Sequence, residues 1–174
     1  MRVEGPQALE VELPFGRRLV LVIGDYAIQQ VFEGFSAVMP DGWTEMLEDA
    51  TYSDPDQPAA MAFAAPGGTG TMYVSAFSLH EALESLPPAA EHAEALAVDW
   101  GRRRGLPPPL LVGCEAEGHA ARATAVFRVA DDFVQVWAII HGTELIEATY
   151  TSRWEVHERD RAAREALVAS LRLD

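Results

Sequence analysis

The segment from residue 110 to residue 151 constrains the fold more than any other part of the sequence. Its four apolar runs lie at 110–115, 120–129, 133–140 and 143–151. These runs are rich in apolar and β-branched residues and are separated by short polar segments, which predicts strands. The short polar pairs Asp131-Asp132 and His141-Gly142 are typical of hairpin loops, so the strands that they join must be antiparallel.

A sheet built from these strands has two apolar faces. With the two polar pairs as two-residue loops, Trp137 lies opposite Ile146 and Val126, and Gln135 lies opposite Ala148 and Arg128. One face then carries Ala123, Ala125, Phe127, Val129, Val134, Val136, Ala138, Ile140 and Leu145. The other carries Phe133, Trp137, Ile139, Ile146 and Tyr150 together with Arg122, Arg128 and Gln135. A solvated face would not hold so many large apolar groups, so both faces are predicted to be covered, by helices on both sides or by a helix on one and a cleft on the other.

The rest of the chain supplies more strands and two long helices. Predicted strands are a hairpin within residues 1–30, one strand from 31 that Pro40 stops, one from Trp43 to Tyr52, and a hairpin at 61–65 and 71–77. Predicted helices are a short one capped by Ser78, one from about Pro88 to Arg104, and one from Val156 to Leu171. The fold class is therefore α+β, a mostly antiparallel sheet covered by helices. Residues 1–174 are expected to form one domain, an α+β core at 31–172 with an N-terminal β-hairpin extension at 1–30.

Several segments of this core resemble a known fold. GFSAVMPDGWTE (34–45), GTGTMYVSAF (68–77), VWAIIHGTELIEATYT (136–151) and the helix end LVASL (167–171) follow one another in the order of the PsbP-like α/β/α sandwich group. That group includes photosystem accessory proteins, a Ran-binding nuclear import factor and many small bacterial proteins of unknown role. It has no shared catalytic set, and its better-known members bind proteins. The resemblance therefore implies a sandwich fold and, by analogy alone, a binding role.

Composition narrows the partners and the compartment. Thirteen basic residues, all arginine, and 27 acidic ones give a formal net charge of −14. This charge argues against nucleic acid and against an anionic membrane surface, because both need clustered positive charge. Cys114 is the single cysteine, so an internal disulfide cannot form. We find no apolar run of signal-peptide or membrane-spanning length, and a cytoplasmic protein is expected.

No residue pattern indicates a catalytic centre, a metal site or a cofactor. His80-Glu81 with Glu84 falls short of the HExxH zinc motif, because the second ligand would be a glutamate. Cys114 is expected to be a buried strand residue whose neighbour Glu115 raises its thiol pKa. His141 and Glu144 could do acid–base work, although a loop histidine is more often simply solvated.

The best candidate for binding is the group Arg122, Arg128, Gln135 and Trp137. An apolar floor with cationic and amide groups suits a ligand that bears a carboxylate. The favoured alternative is a helix packed over Trp137, with the arginine side chains reaching water. A homodimer that uses this mixed face is a third hypothesis. The leading functional hypothesis is a non-enzymatic protein-binding module, immunity- or chaperone-like, whose partner has a basic surface. The rival is a small-molecule binder or enzyme that uses the face around Trp137 and Arg128.

Overall fold

The computed structural model of the protein describes residues 7–13, 17–23, 28–32, 35–46, 61–78, 86–117, 120–142 and 144–173. The chain divides into two compact units, residues 1–43 with 162–174, and residues 44–161. Each unit contains one antiparallel sheet.

The sheet of the first unit has five strands. They are β1 (Gln7–Leu13), β2 (Arg17–Ile23), β3 (Ile28–Phe32), β4 (Phe35–Val38) and the C-terminal β12 (Arg172–Leu173), paired in the order β1-β2-β3-β4-β12. The predicted hairpin within residues 1–30 is present, since β1 and β2 pair antiparallel with Leu9 opposite Leu21. Alternating residues in the first strand and a continuous apolar run in the second are therefore enough to predict the hairpin.

The prediction of one strand from residue 31 to Pro40 is wrong. The segment contains the end of β3 and all of β4, which pair antiparallel with Phe32 opposite Phe35. The turn after Pro40 is present, because the Trp43 N–H donates a hydrogen bond of 3.2 Å to the Pro40 carbonyl. Beyond this turn, the described part of the predicted strand is β5 (Thr44–Glu45), and residues 47–60 lie outside the described residues.

The sheet of the second unit has seven strands. After β5 come β6 (Met61–Ala64), β7 (Gly70–Ser78), β8 (Leu111–Glu117), β9 (Ala120–Val129), β10 (Asp132–His141) and β11 (Glu144–Arg153). The order across the sheet is β5-β6-β7-β11-β10-β9-β8, and every neighbouring pair is antiparallel. The predicted meander and the hairpin of β6 and β7 are confirmed.

The predicted register of the meander is off by two residues, and its two faces are nevertheless right. Trp137 lies opposite Ala148 and Thr124 rather than Ile146 and Val126. The first loop is at 130–131, and β10 continues to His141, so each loop begins one residue from the predicted pair. Ala130, with a φ of 54°, takes the left-handed conformation that the first loop requires. A shift of two residues leaves every side chain on its predicted face, since the side-chain period of a strand is also two.

Helix α1 (Leu86–Arg103) packs on the first face of this sheet, the face of Phe127 and Val136. Its small residues Ala89, Ala93 and Ala97 and its Trp100 join the strand residues in one buried cluster. The helix begins two residues before the predicted Pro88 and ends as predicted. Gly105, with a φ of 67°, lets the Leu106 N–H reach back to the Gly101 carbonyl at 3.0 Å. The predicted short helix after Ser78 lies mostly in residues 79–85, outside the described residues.

The last predicted helix is shorter than expected. Helix α2 spans Arg161–Ser170, residues 157–160 form turns where helix was predicted, and a single turn of 3-10 helix lies before them at Trp154–Val156. On the second face of the seven-stranded sheet the largest side chains are fully or almost fully buried, namely Phe63, Met72, Phe133, Trp137, Ile146 and Tyr150. The α+β class with an antiparallel sheet and helices is therefore confirmed.

Candidate binding surfaces

The four predicted ligand-binding residues share the second face of the seven-stranded sheet. Arg122 and Arg128 lie on β9, and Gln135 and Trp137 lie on β10. The observed register sets Gln135 opposite Val126 and Trp137 opposite Thr124, between the two arginines. Six residues of extended chain separate Arg122 from Arg128, which is roughly 20 Å. The two cations therefore sit toward opposite ends of the face.

The two central residues of this group are buried. Trp137 is only 1% exposed, and Gln135 is also in the buried class. The Gln135 side-chain amide donates a hydrogen bond of 3.3 Å to the hydroxyl of Thr124. Both side chains are therefore part of the protein core, and of the four residues only the two arginines have accessible side chains.

The two arginines have different surroundings. Arg122 donates to the carboxylate of Glu115 on β8 at 2.6 Å. Arg128 is exposed, lies with its guanidinium carbon 4.5 Å from the centre of the Trp154 ring, and donates from Nε to the Ala130 carbonyl at 3.2 Å. Within the described residues, no hydrogen-bond acceptor or carboxylate reaches the Nη groups of Arg128. The Nε hydrogen bond and the Trp154 ring therefore hold the guanidinium in place, and its two Nη groups remain available as donors.

A cleft of about 520 Å³ opens beside Arg128. Its lining consists of Arg128, Asp131, Arg153, Trp154 and Glu155. Two guanidiniums and two carboxylates nearly balance in charge, and the Trp154 ring supplies the apolar wall. Of the four predicted residues, only Arg128 belongs to this cleft.

The wall of the cleft is anchored by a row of aromatic rings. His157 stacks on Phe133 with ring centres 4.3 Å apart and lies 4.7 Å from Trp154. Behind them, the buried Tyr150 donates from its hydroxyl to Asp160 at 2.7 Å. Thr69 donates to the same carboxylate oxygen. The segment that carries Trp154 is thus tied to the sheet by stacking at one end and by a buried carboxylate at the other.

A second surface lies at the edge of the sheet, on β8. Leu110, Leu111 and Val112 are 63%, 59% and 36% exposed, and they are large apolar side chains. Strand β8 pairs with β9 on one side and is the last strand in the sheet order. Throughout 110–116, every residue is exposed or half-buried. We call residues 110–116 the β8 edge.

Acidic groups flank the far half of the β8 edge. The Cys114 thiol donates to the Ala90 carbonyl of α1 at 3.4 Å, which sets the first half of that helix beside the strand. Partial burial raises the pKa of the Cys114 thiol, and the carboxylates of Glu94 and Glu115 raise it further. The predicted direction of that pKa is confirmed, whereas the prediction that Cys114 is buried is wrong, because the edge strand leaves it exposed.

Glu147 is an acidic residue in the core, and no motif in the sequence marks it. It is 8% exposed, projects from β11 onto the first face, and lies opposite Ala138 and Ser75. Burial raises the pKa of its carboxyl, while Arg104, Arg103 and a hydrogen bond from the Trp100 side chain lower it in part. The period of two from Leu145 already places Glu147 on this face, and that was the signal available in the sequence.

The other predicted chemical groups remain separate. In the described portion of the chain, no three His, Cys, Asp or Glu side chains come together as a metal site would require. The near-motif His80, Glu81 and Glu84 lies outside the described residues. His141 and Glu144 are cross-strand partners at a hairpin end, and His141 is exposed there. In the described helices, none is both long and apolar enough to cross a membrane.

Comparisons with known proteins bear on the fold. No protein-family model matches the chain, and no curated protein matches it. A crystal structure of a protein from Bacteroides thetaiotaomicron matches with a TM-score of 0.51 at 17% identity. That match covers 80% of this chain, which spans 45% of the Bacteroides chain. The solution structure of cyanobacterial PsbP (CyanoP) from Synechocystis sp. PCC 6803 matches with a TM-score of 0.54 at 11% identity, over 82% of this chain and 88% of that one. The chain therefore has a PsbP-like fold, as the sequence resemblance implied.

Proposed function

We propose that this protein is a non-enzymatic, cytoplasmic protein-binding module, and that its partner presents a basic surface. The exposed apolar group Leu110, Leu111 and Val112 is the observation that carries the proposal. Leu111 and Val112 project to opposite faces of the edge strand, and large apolar side chains left in water there cost free energy unless a partner covers the edge. An immunity- or chaperone-like role fits this arrangement, because both roles consist of holding another protein.

Charge supports the choice of a basic partner. The chain carries a formal net charge of −14, Glu115 is exposed on the β8 edge, and Glu94 is exposed beside it. An acidic surface accelerates association with a basic partner and weakens association with an acidic one. Apolar contact with the partner would then provide most of the affinity, while charge would favour basic partners over acidic ones.

A pull-down with matched variants tests this function. The purified protein, its Leu111→Lys variant and its Val38→Lys variant would each be offered a lysate of the source organism at low and at high salt. Both substitutions place a lysine on an exposed apolar position, since Leu111 is 59% and Val38 is 52% exposed. We expect one partner that the wild type and Val38→Lys retain at low salt, and that Leu111→Lys or high salt releases. Equal retention by all three proteins, or no retained protein at low salt, would overturn the proposal.

The cleft at Arg128 favours a second candidate function, the binding of a small molecule with a carboxylate. A volume of about 520 Å³ lies in the range of small-molecule sites. Arg128 is oriented by Trp154 and by the Ala130 carbonyl, so its Nη groups are placed for a two-point contact with a carboxylate. Because the lining charges nearly balance, this geometry rather than net charge would select the ligand.

Benzoate is a suitable probe for this candidate, because it combines a carboxylate with a ring that can contact Trp154. We expect benzoate to shift the Arg128 side-chain and Trp154 indole NMR signals in the wild type. Arg128→Lys should abolish the shifts, since lysine lacks the planar donor pair. Arg122→Lys is the matched control and should keep them. Absence of shifts at millimolar benzoate in the wild type, or their persistence in Arg128→Lys, would reject the ligand site.

A further inference from the structure

The backbone of the β8 edge is open to a further strand. Within the described residues, β8 pairs with β9 on one side and has no strand on the other. Natural proteins usually protect such an edge with inward charges, proline or a covering segment. Here Pro107, Pro108 and Pro109 precede the edge, but residues 110–116 contain no proline and are accessible. An uncovered edge presents backbone donors and acceptors that another extended chain can use.

The β8 edge has a direction, with an apolar half followed by an acidic half. Leu110, Leu111 and Val112 form the first half. In the second half, Cys114 lies near Glu94 of α1, and Glu115 projects to the other side of the sheet, where it contacts Arg122. A chain that lies along this strand therefore meets apolar surface at one end and carboxylates at the other.

We infer that the β8 edge binds an extended segment of the partner protein as an added antiparallel strand, and that this segment has a basic half followed by an apolar half. The antiparallel direction follows the sheet, in which every neighbouring pair is antiparallel. In this direction the first residues of the partner segment face the acidic half of β8, and its last residues face Leu111 and Val112. The inference rests on the proposed function and specifies the mode of binding.

A second copy of this chain fits the edge less well. Two β8 strands paired antiparallel around Cys114 would set Leu111 of each copy opposite Glu117 of the other, and Val112 opposite Ala116. Because β8 contains no basic residue, neither copy would bring a cation to the acidic half of the other, and two chains of net charge −14 would repel each other. A basic segment removes both problems, because its cations face the acidic half and its apolar side chains face the apolar half.

A short capped peptide with a lysine-rich first half and a valine-rich second half serves as the probe. Its binding to the full chain is followed by fluorescence anisotropy of a dye at its end. The control peptide has the same side chains and carries N-methyl groups along its valine half, which removes the backbone donors of an added strand. We expect the control to bind at least about tenfold more weakly. We also expect Leu111→Lys to weaken the unmodified peptide about tenfold and Val38→Lys to leave its affinity unchanged.

Each outcome decides between binding modes. Equal binding of the two peptides, or full affinity in Leu111→Lys, overturns strand addition while leaving a basic protein partner as the function. Peptide binding as expected, combined with a lysate that yields no partner, keeps the strand site and rejects the proposed function. Sedimentation of the free protein as a dimer that Leu111→Lys dissociates would assign the edge to a second copy and overturn the inference.

Discussion

Replacing Gly101 with alanine tests how closely α1 approaches the sheet. A Cβ at this position would lie 2.5 Å from Cζ of Phe127 and closer still to Cε1 of the same ring. Carbon atoms in good contact are about 3.5–4.0 Å apart, so the overlap is about 1 Å. The Phe127 ring is 1% exposed and packs against Trp100 at a centroid distance of 6.3 Å, which leaves it little room to move. The helix or the ring must therefore shift.

Two opposing effects set the size of the change. Alanine is favoured over glycine in a helix interior by about 1 kcal/mol, and by less at a position this near the helix end. Overpacking of a filled core costs about 1–3 kcal/mol. Because the steric effect is the larger one, Gly101→Ala is expected to lower the free energy of unfolding by about 1–2 kcal/mol.

Urea unfolding measures this change, with Gly113→Ala as the matched control. A Cβ at residue 113 would lie 3.6 Å from Cγ2 of Thr124, an ordinary contact. The control should be neutral or stabilising by up to about 1 kcal/mol. In a Phe127→Leu background, which removes ring atoms, Gly101→Ala should lose most of its cost. A Gly101→Ala variant as stable as the wild type would refute the close approach of α1 to Phe127.

Three further predictions concern buried and partly buried groups. The folded state holds a proton on Glu147 over a pH window above the ordinary glutamate pKa, so its contribution to stability falls as the pH rises through that window. Glu147→Gln should therefore stabilise the protein by about 1 kcal/mol on the alkaline side of that window and flatten the dependence of the urea midpoint on pH. The exposed Glu94→Gln should leave this dependence unchanged. An unchanged pH dependence in Glu147→Gln would contradict the assignment of the buried proton to Glu147. Tyr150→Phe should lower the free energy of unfolding by about 1–2 kcal/mol, because Asp160 loses a buried donor. This loss should shrink in an Asp160→Asn background, and an equal loss in both backgrounds would show that the two residues are not coupled. Cys114 should alkylate slowly at mildly alkaline pH, and Glu94→Gln should speed its reaction with iodoacetamide roughly two- to threefold; equal rates would exclude that carboxylate as a cause.

The sequence predicts the meander and its faces because both depend on a local period. Trp137 and Gln135 fall on the predicted face although their cross-strand partners differ from the predicted ones by two residues. The sequence does not predict the first loop position, because the polar pair Asp131-Asp132 favours a turn there while the backbone turns at Ala130. A left-handed alanine leaves no pattern in the sequence.

The β8 edge illustrates what a local pattern cannot give. Leu110, Leu111 and Val112 have the composition of a buried strand, and only the strand order leaves them exposed. That order depends on pairings between segments far apart in the chain. The stacking of Arg128 on Trp154 depends likewise on the segment after β11, where a 3-10 turn at Trp154–Val156 precedes α2. The sequence therefore identifies the candidate side chains, but it does not show which of them lie together at one site.

Amide hydrogen exchange of the full chain, with and without the lysine–valine peptide, tests the central claim most directly. We expect the alternate backbone amides of 111–116 that point away from β9 to exchange rapidly in the free protein. Saturating peptide should slow these amides, while those of β5, at the opposite edge of the same sheet, keep their rates. Slowed exchange elsewhere with no change along β8 at saturation would contradict the assignment of the β8 edge as the binding surface.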